Sequence, residues 1–405
     1  MIPFSPPRID QKIIDAVNEA LISGWITTGP KTKLFEKALS AYCGNPSTLC
    51  LNSATAGLEL ILRWFGVGPE DEVILPAYTY AATANVIMHC GAKPVFADVN
   101  LRDFNINVSC IEKLINERTK VIMPVDFGGL PCDYNALNAL VKKNTVLEKF
   151  APNHDNQAKL NRILILSDAA HSIGASYFGK KTGSLTDVSV FSFHAVKNLT
   201  TAEGGAIALN LPEPFDNQAI YNELCIKSLH GQNKDALAKM QKGNWKYDIV
   251  EAGYKCNMTD MAAAIGLVEL ERYDSDTLVK RKQIMSYYQE KLAEKSWAEL
   301  PIIASDEKIS SFHLYPLRIK NITEEVRDMI IQEIFANDVA VNVHFIPVPM
   351  MSFYKNLGYS IANYPMTYFN FSREISLPVY YDLRMEDAEL VINAVINAVE
   401  KHLHA

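Results

Sequence analysis

The chain has 405 residues, 48% of them hydrophobic and 21% charged, which is enough apolar material for a large core spread over two or three domains. A formal net charge of −7 argues against a nucleic-acid partner, and no apolar run reaches the roughly 18 residues that a membrane span needs. Seven cysteines, at 43, 50, 90, 110, 132, 225 and 256, form no CxxC pair and no zinc spacing; with no signal-peptide pattern in the first ten residues, they point to reduced thiols in the cytoplasm.

An irregular arm bearing Pro3, Pro6 and Pro7 leads into a helix over 11–23, where Ile13, Ile14, Val17, Ala20 and Leu21 recur at helical spacing. The stretch 25–30 reads as a turn into a second helix, 31–42. Residues 47–51 form a short strand, and Asn52-Ser53-Ala54-Thr55-Ala56-Gly57 carries it into a helix over 58–65. Such a turn is either an anion site, built on the unpaired N–H groups and dipole of the first helical turn, or an ordinary Ser/Thr cap. Residues 72–75, an Ala-rich helix ending at Cys90, and 93–98 make a parallel, right-handed strand–helix–strand unit. Tyr78, just after the first of those strands, is either placed to stack on a planar ligand or simply one of 18 tyrosines. A strand-like run at 104–107, a helix at 110–117 and a strand at 120–124 follow. The loop 125–133 is expected to face the same rim as the other strand-end loops. Residues 142–161, polar and bearing Pro152, read as the least ordered part of the chain, a surface excursion with no functional role.

The next stretch carries the chemistry. Apolar runs at 163–166 and 188–193 read as buried strands. The first breaks into Ser167-Asp168-Ala169-Ala170-His171, the second into Ser192-Phe193-His194-Ala195-Val196-Lys197, and Glu203-Gly204-Gly205 precedes a further strand over 206–209. An acid, a histidine, a serine and a lysine thus gather at strand ends, where open α/β sheets hold their ligands. Taken singly each is ordinary: Asp168 suits a helix cap, His171 a structural role and Lys197 a solvated surface. Together they suit one cofactor, pyridoxal phosphate. Its aldehyde needs a lysine, its ring nitrogen a carboxylate, and its phosphate hydroxyl and N–H donors.

Beyond 209, the bends at Pro212 and Pro214 lead to a helix over 217–229 and a loop over 230–248 rich in Gln, Asn and Lys. Gly253-Tyr254-Lys255-Cys256-Asn257-Met258-Thr259-Asp260 opens a helix to 271, with Thr259 or Asp260 as its cap. Helices at 283–295, 323–336 and 385–402 alternate with strands at 312–319 and 339–343, which suits a smaller α/β domain. The expected division is 1–250 for the larger domain with its arm and 251–405 for connecting helices and the smaller domain.

The spaced string from Asp168 through Lys197 to Gly205 closely resembles the DegT/DnrJ/EryC1/StrS family of sugar aminotransferases, and the likeness runs from Ile2 to the last helix. His344-Phe345-Ile346-Pro347 and Ser376-Leu377-Pro378-Val379 match landmarks of that family's C-terminal domain. The resemblance implies a fold-type I α/β architecture, with a mostly parallel seven-stranded sheet in the large domain. It implies pyridoxal phosphate held by Lys197, Asp168 against its ring nitrogen, and His171 orienting it. Ala54, Thr55 and Ser192 would bind the phosphate, and Tyr78 would cover the ring. In the family an asparagine near position 255 reaches the phosphate of the neighbouring subunit; here Lys255 takes that place and Asn257 stands two residues on, so either serves. His194 lies near the lysine with a direct role left open. The implied reaction moves an amino group, from glutamate in most of the family, to a keto sugar carried on a uridine or thymidine diphosphate. A homodimer with shared sites is implied, making a surface glycan, lipopolysaccharide or related sugar. Other cofactor-dependent reactions of the same fold, a sugar dehydratase or a lyase, and a non-catalytic regulator are the alternatives. The dehydratases replace the lysine with histidine, and Lys197 favours amination over them.

Overall fold

Seven runs of four or five residues, rich in Val, Ile and Leu, build the central sheet of the computed structural model, which describes residues 1–234 and 245–403. They are β1 (Ser47–Leu51), β2 (Glu72–Pro76), β3 (Lys93–Ala97), β4 (Thr119–Ile122), β5 (Leu164–Asp168), β6 (Val188–Ser192) and β7 (Gly205–Leu209). Their order is β1-β7-β6-β5-β4-β2-β3. Neighbours from β6 to β3 pair in parallel, and β7 alone runs against both strands beside it. All residues of every strand but the edge strand β3 are buried, as expected of a parallel sheet covered by helices on both faces. The register decides where the site falls. Asp168 lies opposite Val190, while Ser192 and Leu51 both face Gly205. The ends of β1, β5 and β6 and the start of β7 therefore share one rim.

Helices α1 (Gln11–Ser23), α2 (Pro30–Cys43), α3 (Ala54–Trp64), α4 (Ala81–His89) and α5 (Asp260–Glu271) belong to this unit. The first turn of α3 sits four residues earlier than its apolar periodicity predicts, because Ser53 caps it by accepting from the Ala56 N–H at 3.1 Å. Of the two candidate caps of α5, Thr259 accepts from the Ala262 N–H. Asp260 turns the other way. Fully buried, it accepts from the N–H groups of Gly29, Lys31 and Thr32 and from the Thr32 hydroxyl at 2.7–3.0 Å. A carboxylate from a distant helix thus satisfies the open donors at the start of α2, whose own cap residue, Gly29, has no side chain.

A second core lies between helices α6 (Leu278–Leu292), α7 (Glu324–Ala336) and α8 (Met385–Leu403) and an antiparallel sheet of β8 (Ala298–Glu299), β9 (Tyr315–Ile319) and β10 (Glu374–Leu377). Tyr288, Tyr315, Ile330, Ile375 and Val395 are fully buried in it. The change of core comes later than the expected division at 251, since Met258, Ala263 and Tyr273 still pack with Phe35 and Phe191. Val348 and Tyr354 return to the first core, and Ile2 of the arm packs on the second.

Three segments differ from expectation. The strand-like run at 104–107 makes only an isolated bridge, Ile106 to Val99, among the described residues. The predicted strand at 339–343 makes only isolated bridges, Val339 to Ile2 and Asn342 to Ser376, because its two ends find different neighbours and no ladder extends. The stretch 142–161 carries short helices at Asn144–Leu147 and Asp155–Leu160 and is pinned to the core. Gln157, fully buried, donates to the Phe65 carbonyl at 3.1 Å, and Val146 is buried beside Val141 and Ile163. Its polar composition hid these few anchors. All seven cysteines are free thiols, and among the described residues no helix is long and apolar enough to cross a membrane.

Candidate active site

The shared rim opens on a cavity of about 360 Å³, lined from both units and by the N-terminal arm. Asp168, Ser192, Lys197, His171, Ala54 and Thr55 all line it, so six of the sequence-derived candidates meet in one place. Asp168, the last residue of β5, is 6% exposed. Its Oδ2 accepts from the Thr83 hydroxyl at 2.8 Å and its Oδ1 from the Ala170 N–H at 3.3 Å. Burial raises its pKa, while the Thr83 hydroxyl, the Ala170 N–H and the Lys197 charge oppose that rise. Lys197 stands in the turn that follows β6, where its N–H donates to the His194 carbonyl at 2.9 Å. Burial brings its ammonium pKa down to about 8, against the opposing pull of Asp168. A lysine so placed holds a substantial neutral fraction near neutral pH, as a nucleophile and proton carrier requires.

His171 is buried with its ring 5.8 Å from that of Phe345 and nearly parallel to it, and 4.4 Å from that of His313. The second distance is a tilted contact. Burial, Lys197 and His344 push its pKa well down, so the imidazole is neutral. Its Nδ1 is buried without a hydrogen-bond partner among the described residues. Such orphans are rare, and this one lies in the wall of the cavity, where a bound group would satisfy it. At the opposite wall, Ser53 has taken the capping role, which leaves the first N–H groups of α3, at Ala54 and Thr55, without an intrahelical bond. A Cβ on Gly205 would lie 2.4 Å from the Ala54 nitrogen, so only glycine lets β7 begin directly beneath this helix start. Ser192 contributes its hydroxyl from the end of β6. Hydroxyl, open N–H groups and helix dipole together suit a phosphate. An orphan imidazole, a carboxylate and a lysine suit the rest of pyridoxal phosphate, so the residues present fit the cofactor that the sequence implied.

Three candidates stand elsewhere. Tyr78 is fully buried outside the lining, its ring 5.4 Å from Phe104 and 5.2 Å from Phe127. The tyrosine that lines the cavity is Tyr80, 64% exposed and 5.8 Å from Phe345. The chain turns into α4 between them, so the alternation that aims Tyr78 into the core ends and Tyr80 is left at the helix start. Lys255 and Asn257 do not line this chain's cavity. They bond to each other, and Asn257 also donates to the Thr28 hydroxyl, in a stretch where Lys255 is exposed and Asn257 half-buried. His194, exposed at the mouth, lies 3.6 Å from the Glu203 carboxylate. The sequence reading missed Phe4, Ser5, Thr83, His313 and the site role of His344 and Phe345. Only the 344–347 landmark signalled any of them.

The DegT/DnrJ/EryC1/StrS aminotransferase family model matches residues 7–148 and 152–396. A putative sugar aminotransferase of Streptococcus pneumoniae, Spr1654, is 46% identical in its PMP-form, covering 99% of this chain and all of that one, with a TM-score of 0.95. Its PLP-form gives 45% identity and a TM-score of 0.94, with 99% of each chain covered. The spore coat polysaccharide biosynthesis protein SpsC of Bacillus subtilis is 36% identical over 403 residues, 98% of this chain and 97% of its own. PseC of Helicobacter pylori, an aminotransferase involved in the biosynthesis of pseudoaminic acid, is 28% identical with a TM-score of 0.86 and 99% of each chain covered. Sheet order, the single reversed strand and these likenesses agree on a fold-type I aminotransferase architecture. The chain belongs to the DegT/DnrJ/EryC1/StrS aminotransferase family.

Proposed function

We propose that this protein is a sugar aminotransferase that uses pyridoxal phosphate to move an amino group from glutamate to a keto sugar carried on a uridine or thymidine diphosphate. The product feeds a surface polysaccharide or a related glycan. The observation that carries the reading is the pairing of Lys197, with its pKa lowered to about 8, and buried Asp168 beside an orphaned imidazole and an open helix start. The PLP- and PMP-forms of Spr1654 and the polysaccharide role of SpsC support it.

Bound in the cavity, the cofactor supplies an aldehyde for the amino group and a ring that absorbs electron density when a neighbouring carbon loses its proton. The chain's residues do the rest. Lys197 Nζ, neutral in part near pH 8, takes that proton and returns it. Asp168 holds a proton on the ring nitrogen, and the Thr83 hydroxyl fixes the carboxylate. Ser192 and the Ala54 and Thr55 N–H groups hold the phosphate, the His171 ring orients the cofactor and Tyr80 flanks it.

Lys197 is the only lysine or arginine among the described residues lining the cavity. A nucleotide diphosphate and a donor carboxylate both need further cations. That shortage supports a homodimer in which Lys255 and Asn257, exposed or half-buried on the outer side, serve the neighbouring subunit's site. Glutamate added to cofactor-loaded enzyme should convert the aldehyde form to the amine form, followed by absorbance, and a keto-sugar nucleotide should reverse it. No conversion by glutamate or any other amino acid would overturn the transaminase reading. Equal turnover of the free keto sugar would overturn the nucleotide part.

A further inference from the structure

The lining of the cavity includes His344, which the sugar reading above does not yet use. Its ring lies 5.4 Å from that of Phe4, nearly parallel, and its Nδ1 lies 2.9 Å from the Ser376 hydroxyl oxygen. That hydroxyl bonds in turn to Glu374 Oε1, while Glu374 Oε2 accepts from the His344 N–H at 3.0 Å. Serine and glutamate are alternate residues of β10 and both are fully buried. His344 Nε2 has no protein partner among the described residues, and it is not one of the buried orphan atoms.

Glu374 has no ion pair among the described residues. The charged groups nearest to it are Arg318 on β9 and Arg327 on α7, with the Tyr78 hydroxyl after β2. Arg318 is turned to Glu299 at 2.8 Å and to the Asn370 side chain; Arg327 is turned to Asp328 and the Phe371 carbonyl, and bonds to Glu374 only at its main-chain carbonyl, at 3.3 Å. The titratable groups that act on His344 from across the cavity lining are Lys197, His171 and His313, the last two neutral by burial. A carboxyl buried without an ion pair keeps its proton, because desolvation penalises the charged form. Burial raises Glu374 to about 8, against the pull of Ser376, His344 and both arginines, and burial lowers His344 to about 3. His344 is therefore neutral, and only the position of its one ring proton is open.

We propose that Glu374, Ser376 and His344 form a relay in which the proton on Glu374 sets the tautomer of His344, so that Nε2–H donates a hydrogen bond to an oxygen of the sugar substrate. The proton count runs through three groups. With Glu374 protonated, Oε1–H donates to Ser376, Ser376 donates to Nδ1, and the ring proton stays on Nε2. When Glu374 ionises, its proton passes to Ser376 Oγ, that of Ser376 passes to Nδ1, and the Nε2 proton leaves to the cavity. His344 then presents an acceptor instead of a donor. His344 is a specificity-determining residue, and Glu374 and Ser376 are positioning residues that act through it.

The inference rests on the sugar reading, so its test includes a readout that needs no sugar. Glu374→Gln locks the relay in its donor form, because a carboxamide N–H donates to Ser376 as the acid does while its carbonyl still accepts from His344. Ser376→Ala cuts the relay. In enzyme holding the cofactor and labelled with ¹⁵N-histidine, the His344 signal should report Nε2–H below pH 8 and Nδ1–H above it. Glu374→Gln should hold Nε2–H throughout. In turnover, the sugar KM of the wild type should rise about tenfold above pH 8, the effect of one lost hydrogen bond. It should stay low in Glu374→Gln and be raised at every pH in Ser376→Ala, with the glutamate half-reaction unchanged in both. A wild-type His344 tautomer that ignores pH, or that changes equally in Glu374→Gln, overturns the relay whatever the substrate proves to be. A sugar KM in folded Ser376→Ala equal to that of the wild type overturns the role in binding. Failure of the wild type to aminate any keto sugar overturns the functional reading, while the NMR titration still judges the relay.

Discussion

Lys197 and Asp168 owe their chemistry to burial, and each makes a distinct prediction. With the Lys197 pKa lowered to about 8, the neutral amine grows as pH rises through that value. Condensation of cofactor-free enzyme with added pyridoxal phosphate should therefore accelerate from pH 7 to 9 and then level off. Borohydride should fix the cofactor to the peptide bearing Lys197; a label on Lys180, Lys181 or Lys255 would refute the assignment. Replacing Asp168 with Asn leaves the Thr83 bond but removes the charge opposite the ring nitrogen. Turnover should fall on the order of 10²–10³-fold, the usual worth of one preorganised electrostatic contact, with cofactor partly retained. Near-normal turnover would dismiss the role. The two tyrosines separate cleanly. Tyr80→Ala should weaken cofactor binding with little change in melting temperature, because the side chain is mostly exposed. Tyr78→Ala should cost about 3–5 kcal/mol of stability by emptying a space in an aromatic cluster. Comparable melting curves for the two variants would count against the placement.

Asp260 shows how one element is held by another. Replacing it with Ala leaves buried N–H groups at the start of α2 unpaired, at about 1–3 kcal/mol for each group that water cannot reach. A clear loss in thermal or urea stability is expected, while Thr259→Ala should cost only about 1 kcal/mol, the usual worth of a single side-chain cap. Equal losses in the two would mean that Asp260 acts only locally. Periodicity placed α1 at its observed bounds and found every strand of the main sheet within a residue or two, because those runs are apolar on both faces and short. It failed where pairing partners decide the outcome. Residues 339–343 have the composition of a strand, yet a strand needs a ladder, and the arm and β10 each offer this segment only one bridge.

For the whole molecule, the test is subunit exchange. A Lys197→Ala subunit and a subunit altered at both Lys255 and Asn257 should each be inactive alone. Mixed, every heterodimer would hold one site with both lesions and one with neither, so activity should return toward half of the wild-type value per heterodimer. No recovery after verified exchange would mean that each site is built within one chain. The reasoning is steric and electrostatic at once: the cavity has one lysine and no arginine in its described lining, and the two polar residues lie outside it. A two-fold interface is the arrangement by which one patch serves both sites.

From sequence alone come the α/β class and the grouping of Asp168, His171, Ser192 and Lys197, because strand ends and glycine-rich turns are local signals and the cofactor's needs are specific. The helix start at Ala54 and Thr55 was readable too, as one of two meanings of the same turn. What the sequence left open depends on distance in space. Whether Tyr78 or Tyr80 lines the cavity turns on where the chain bends into α4. Whether His344 belongs to the site turns on a second unit folding back over the first, 147 residues beyond Lys197 (344 − 197). That burial raises the Glu374 pKa to about 8 turns on a carboxyl left without an ion pair, the two arginines near it being paired with Glu299 and Asp328. Pattern along a chain reports the faces of elements; only packing sets which buried charges meet, and desolvation makes that choice decide the chemistry.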